Sequence, residues 1–168
     1  MVHLQQQILN TYHMLRLITF CLLLFPGFVY GQQYFGKTQP QVKKELQQYI
    51  KKNKSLGATL EQTDSTIHLS VPGPASQPAE FFYNFDKTGN CVSQKTVTYC
   101  DSCFSKFLQP LLQQEKYKWK KINENQYISS YSEGLLIELP AEEKQYWFLL
   151  MKVSWTKELY KLLTGRDE

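Results

Sequence analysis

Cys100-Asp101-Ser102-Cys103 is the spacing in this chain that most directly invites chemistry. Two cysteines three positions apart at the start of a helix share one turn. The helix N-terminus carries partial positive charge and favours a thiolate, which is how exchange-active thiols come to ionise easily. Acidic Asp101 between the two cysteines opposes that effect. The flanking segments also lack the β-α-β order of a thioredoxin-like fold. The pair therefore reads either as a static local disulfide or as a thiol–disulfide exchange site. Cys91 stands apart from it. On a straight strand Cys91 and Cys100 lie about 30 Å apart at ~3.3 Å per residue, whereas a disulfide needs Cα atoms within about 7 Å. Unless that strand folds back, Cys91 is a buried free thiol or lacks its partner.

Other reaction chemistries find little support. His68 is the only histidine beyond residue 13, so any Ser-His-Asp or Cys-His arrangement would have to use it. No G-x-S-x-G element and no glycine-rich phosphate loop is present. Three cysteines and one histidine could fill a zinc site, but their spacings match no finger or ribbon. Glu142-Glu143 is a carboxylate pair in a turn, where neighbours point apart into water. No catalytic residue, metal or cofactor is assigned. The aromatic share is 14%, and most of these rings on strands belong to a core. Tyr127 and Tyr131 alternate with Ser129 on one predicted strand face. This mixed polar and aromatic surface suits a small apolar ligand or a protein partner. Lys116, Lys118, Lys120 and Lys121 form the densest basic patch, read as a solvated strand edge that resists aggregation. Asn53-Lys54-Ser55 is a glycosylation sequon.

These residues need elements to position them. Thr38 to Gln41 is a capping-box start with Pro40 in the first turn. Val42, Leu46, Tyr49 and Ile50 then make one apolar stripe. Ala58–Gln62 and Thr66–Val71 alternate as strands around Thr63-Asp64-Ser65. The Pro-rich stretch from Pro72 to Pro78 is a connection. Phe81–Phe85 and Cys91–Tyr99 flank a hairpin turn, Asp86 to Asn90. Phe104, Phe107, Leu108, Leu111 and Leu112 give the clearest helical period, with a kink or break predicted near Pro110. Tyr117–Ile122, Tyr127–Tyr131, Leu135–Leu139 and Tyr146–Trp155 are predicted strands, the last of them interior because both its faces are apolar. Lys157–Leu163 is a short terminal helix. The result is an α+β fold: an antiparallel sheet with two main helices packed on one face, in the order helix–strands–helix–strands. That order is loosely similar to helix-grip and TATA-binding-protein-like architectures, an analogy of fold alone.

The chain of 168 residues opens with a leader. Arg16 precedes the apolar run Leu17–Phe25. Pro26-Gly27 breaks it, and Val29-Tyr30-Gly31 offers a cleavage site. Residues 1–31 read as a signal peptide and residues 32–168 as one exported domain, secreted or periplasmic, in a compartment where disulfides persist. The run is too short to span a ~30 Å hydrocarbon core, and no later stretch is long and apolar enough to do so. Met14 is an alternative start. A net charge of +4 is no nucleic-acid footprint. The functional expectation is an exported, non-enzymatic module that binds a protein or a small apolar ligand, its oligomeric state open. The alternative is an envelope thiol–disulfide or redox-sensitive protein using Cys100 and Cys103. Intact-mass analysis of the native protein should give a mature chain beginning at Gln32, with residues 1–31 gone. Material retaining Met1 or Met14 in the cytosolic fraction would remove the export reading.

Overall fold

Alternation and turn chemistry lay most of this chain out as one antiparallel sheet. The computed structural model describes residues 34–72, 78–142 and 144–165, all within one compact unit, Gly31–Glu168. The leader and most of the Pro-rich connection lie outside the described residues. Helix α1 (Gln39–Lys52) is followed by strands β1 (Thr59–Gln62), β2 (Thr66–Val71), β3 (Ala79–Phe85) and β4 (Cys91–Thr98). Helix α2 (Asp101–Leu112) leads into β5 (Lys120–Asn123), β6 (Gln126–Ile128), β7 (Leu135–Glu138) and β8 (Trp147–Lys152), and α3 (Lys157–Thr164) ends the described chain. The fold is mixed α+β. The eight strands form a single sheet in the order β1-β2-β3-β4-β8-β7-β6-β5. Each group of four is a meander of neighbours, and the two groups meet at the antiparallel pair β4–β8.

Local chemistry starts and stops these elements. The Thr38 amide donates to Gln41 Oε1 at 2.8 Å, half of a capping box at the start of α1. The segment ahead of α1 is laced to the β3–β4 hairpin: Gly36 N–H donates to the Cys91 carbonyl, and Cys91 N–H to the Lys37 carbonyl. Within that hairpin Asp86 Oδ1 accepts from the amides of Thr88 and Asn90 and from the Thr88 hydroxyl. Those bonds hold its carboxyl below the usual range, the Thr88 hydroxyl contributing most. Pro110 sits inside α2, which ends two residues later at Leu112. Pro110 has no amide to give to the Lys106 carbonyl, and the early end of the helix matches the break predicted near it. The Trp119 indole N–H then donates to the Leu111 carbonyl at 2.9 Å, satisfying one of the acceptors left at the helix end.

One face of the sheet holds most of the core; fully buried Ile128 lies on the other face, opposite Lys120 and Leu136. Residues opposite each other in antiparallel strands share a face. Tyr83, Gln94, Leu150, Ile137 and Tyr127 therefore form one row across five strands. Ile67 and Leu69 extend this face onto β2. Leu108 and Leu111 of α2 bury themselves with Leu135, Ile137, Phe148 and Leu150. Phe107 meets Phe81 edge-on, and Phe104 meets Phe148. β8 is interior, flanked by β4 and β7. It stops at Lys152, three residues short of the predicted end; the Val153 amide adds one more in-register bond, to the Gly134 carbonyl at 2.8 Å. Tyr117, predicted to open a strand, sits instead in a 3-10 turn, Glu115–Tyr117.

Gly134 fixes that junction. Its φ is 57°, and a Cβ built on it would come within 2.6 Å of the Val153 carbonyl oxygen. Gly89 also has positive φ but has nothing within 4 Å. Gly134→Ala should lower unfolding stability by roughly 2–4 kcal/mol in a denaturant titration, because the left-handed cost and the backbone clash add. Gly89→Ala should lose only about 1 kcal/mol, the left-handed cost alone. Equal losses at the two positions would disprove the clash.

Candidate functional site

The cysteines occupy two different environments. Cys100 is the N-cap of α2, with its backbone extended at φ −154°, and the Cys103 amide donates to Cys100 Sγ at 3.1 Å. Cys100 and Cys103 are joined as a disulfide with Cα atoms 5.2 Å apart. The link closes a loop of four residues within one helix turn. In the chain-entropy picture that is worth about 2 kcal/mol, against about 3 for a fifteen-residue loop and nearly 5 for a hundred. It ties no two elements together. Cys103 is buried and Cys100 is part-exposed. Ser102 Oγ lies 3.3 Å from Cys100 Sγ and, since that sulfur carries no hydrogen, the hydroxyl is the donor.

Cys91 opens β4, opposite Phe85, and is buried as a free thiol. Loss of hydration pushes its thiol up to about 12. It is the inert member of the three.

The alternation that groups Tyr127, Ser129 and Tyr131 on one strand face does not persist that far, because β6 ends at Ile128. Tyr127 is half-buried on the core face, packed against the cluster beneath α2. Ser129 is fully buried, and its polar atoms are engaged. Its hydroxyl accepts from the Leu135 amide at 2.8 Å and donates to the Ser130 carbonyl, while its own carbonyl accepts from the Tyr160 hydroxyl. Tyr131 sets its ring edge-on to Tyr160 of α3. The three residues thus pack against different neighbours, and Ser129 ties the β6–β7 connection to α3. The lysine patch is similarly divided. Lys120 pairs with Ile128 and Lys121 with Tyr127, so the two point to opposite faces of edge strand β5. Lys120 reaches the Tyr160 ring, and Lys121 bonds Glu124. The sequon residue Asn53 uses its side-chain amide to cap α1 at the Tyr49 carbonyl.

The face opposite the core carries the arrangement that the linear sequence hides. His68, Phe82, Lys95 and Leu149 stand side by side on β2, β3, β4 and β8. The His68 ring stacks on Phe82 with centroids 4.3 Å apart, and its Nε2 lies 3.3 Å from Glu80. Lys95 Nζ sits 4.5 Å from the centre of the Trp147 ring. Glu80 also accepts from the Tyr99 hydroxyl, which raises that phenol's pKa. Tyr99 directly precedes Cys100 and is 57% exposed. Thr66, Asn84 and Ser93 form a hydrogen-bonded row on the same face. The signal for this face was present as the second phase of each strand's alternation. Its partners were not, because sheet order and register bring together positions 68, 82, 95 and 149. Among the described residues no group of three or more His, Cys, Asp or Glu is placed to hold a metal, and no helix is long and apolar enough to cross a membrane.

A buried thiol with a raised pKa has a consequence for stability. The folded pKa lies above the ordinary value of 9.0, so its contribution is fully present below about pH 9 and is lost as pH rises toward about 12. Between pH 8 and pH 10 the wild type should lose about 1 kcal/mol more than Cys91→Ala does. Denaturant titrations of both proteins at the two pH values measure it, and parallel losses would contradict the burial argument. Comparison with protein-family models, with curated proteins and with solved structures finds no match to this chain.

Proposed function

We propose that this chain is an exported, non-enzymatic binding module, and that the face of the sheet opposite its core is the surface it offers to a protein partner. In this reading both longer helices lie on the core side. Phe107 of α2 meeting Phe81, and Tyr34 just ahead of α1 meeting Tyr83, support that, because Phe81 and Tyr83 share one face of β3. One observation carries the proposal: half-buried Phe82, Trp147, Leu149 and Met151 stand at the centre of the other face, with charged Glu61 and Lys120 on its two edge strands. An apolar centre enriched in aromatic and Met side chains within a charged rim is the make-up of a protein interface. A sheet face left to solvent alone is predominantly polar, which this centre is not. Export rests on the leader of residues 1–31, and a disulfide at Cys100–Cys103 suits a secreted or periplasmic location.

Photo-crosslinking tests the surface. A benzoylphenylalanine placed at position 95 or 147 should yield a discrete heavier adduct in cells that make the native chain, and one at Lys51 of α1 should not. Purified with the adduct partner, Trp147→Ala should bind at least tenfold more weakly, about 1.4 kcal/mol. Adducts equal at all three positions, or none at 95 and 147, would sink the assignment.

A further inference from the structure

The two sulfurs of the Cys100–Cys103 disulfide are not equivalent toward an incoming thiolate. Cys103 is 1% exposed and faces the core. Cys100 is part-exposed at the helix start, with exposed Asp101 and Ser102 beside it. A thiolate released at Cys100 keeps two donors already in place, the Cys103 amide at 3.1 Å and the Ser102 hydroxyl at 3.3 Å. The partial charge of the α2 N-terminus adds to them. Asp101 works against this, but its side chain is exposed to water, which weakens its repulsion. The crosslink also holds no two elements together, so the sheet and α2 do not depend on its remaining closed.

We propose that Cys100–Cys103 is an exchange-competent disulfide that oxidises a dithiol by way of attack at Cys100. A thiolate of the dithiol attacks Cys100 Sγ. The Cys100–Cys103 bond breaks, its electron pair leaves on Cys103 Sγ, and a mixed disulfide joins the dithiol to Cys100. The dithiol's second thiolate then attacks its own sulfur in that mixed disulfide, and Cys100 departs as thiolate. Two electrons pass from the dithiol to the cysteine pair. The dithiol's two protons end on Cys100 and Cys103, and the dithiol becomes a disulfide. The buried Cys91 takes no part. This inference does not rest on the sheet face proposed above.

The test uses the folded full-length mature chain and dithiothreitol as the dithiol. Millimolar dithiothreitol should reduce the pair with the circular dichroism spectrum unchanged, and iodoacetamide should then label Cys100 well before Cys103. Oxidised glutathione should form a mixed disulfide with Cys103→Ser about 100-fold faster than with Cys100→Ser. The wild type should speed insulin reduction by dithiothreitol, and Cys100→Ser should not. A pair that stays oxidised until the chain unfolds is only a clip on the helix start and overturns the proposal. So does equal labelling of the two cysteines in the wild type, a measurement that needs no variant to fold. Insulin reduction no faster than with dithiothreitol alone also overturns it.

Discussion

The β4–β8 ladder is the constraint on which the rest of this molecule depends. It is the seam between two four-stranded meanders. Five opposed pairs, from Ser93 with Met151 to Val97 with Trp147, set its register. That register faces Gln94 with Leu150 and Thr96 with Phe148 toward the core. It turns Ser93, Lys95, Val97 and their partners to the other side. A slip of one residue would exchange the two faces of whichever strand moved. The cost would be prohibitive: a moved β8 would expose Phe148 and Leu150, and a moved β4 would bury Lys95 without a partner. The Lys95–Trp147 contact exists only in the native register, since the two residues stand on neighbouring strands and on the same face.

Around that seam the two faces have become chemically different. The core side holds the packed leucines and phenylalanines of α2 against β7 and β8. The other side mixes aromatic, aliphatic and charged side chains. Glu80 there contacts both His68 and Tyr99, and Tyr99 adjoins Cys100. At the far end Tyr160 of α3 closes over the β6–β7 connection by donating to the Ser129 carbonyl. That bond joins two buried residues and ties α3 to the sheet.

Much of the architecture was legible because it is written locally. The capping residues at Thr38 and Gln41, the Asp86 turn, and the period of Phe104 to Leu112 each depend on neighbours within a few positions. The interior position of β8 was legible as well, since apolar residues on both phases of a strand require cover on both sides. The failures have one cause. Tyr127 to Tyr131 alternates like a strand, but where pairing ends depends on the partner β7, which begins at Leu135 and takes the Ser129 amide as its last bond. Val153 to Trp155 continues the pattern of β8 and yet leaves it, because the partner β7 begins only at Leu135 and the Val153 amide makes the last bond of that ladder, to the Gly134 carbonyl.

By itself the sequence determined the mixed helix-and-strand composition, the turn positions, the inability of Cys91 to reach Cys100, and a short-range Cys100–Cys103 pair at a helix start. Each follows from spacing along the chain, where geometry per residue is known. Only the tertiary structure decided which strands neighbour which. That ordering assembled His68, Phe82, Lys95, Trp147 and Leu149 on one surface, made Ser129 a buried hydrogen-bonding node, and left Cys100 open while burying Cys103. The physical reason is that alternation tells a residue's side of its own strand. Neighbours across a sheet, and the depth at which a side chain ends up, are set by pairing between segments tens of residues apart, which no local pattern encodes.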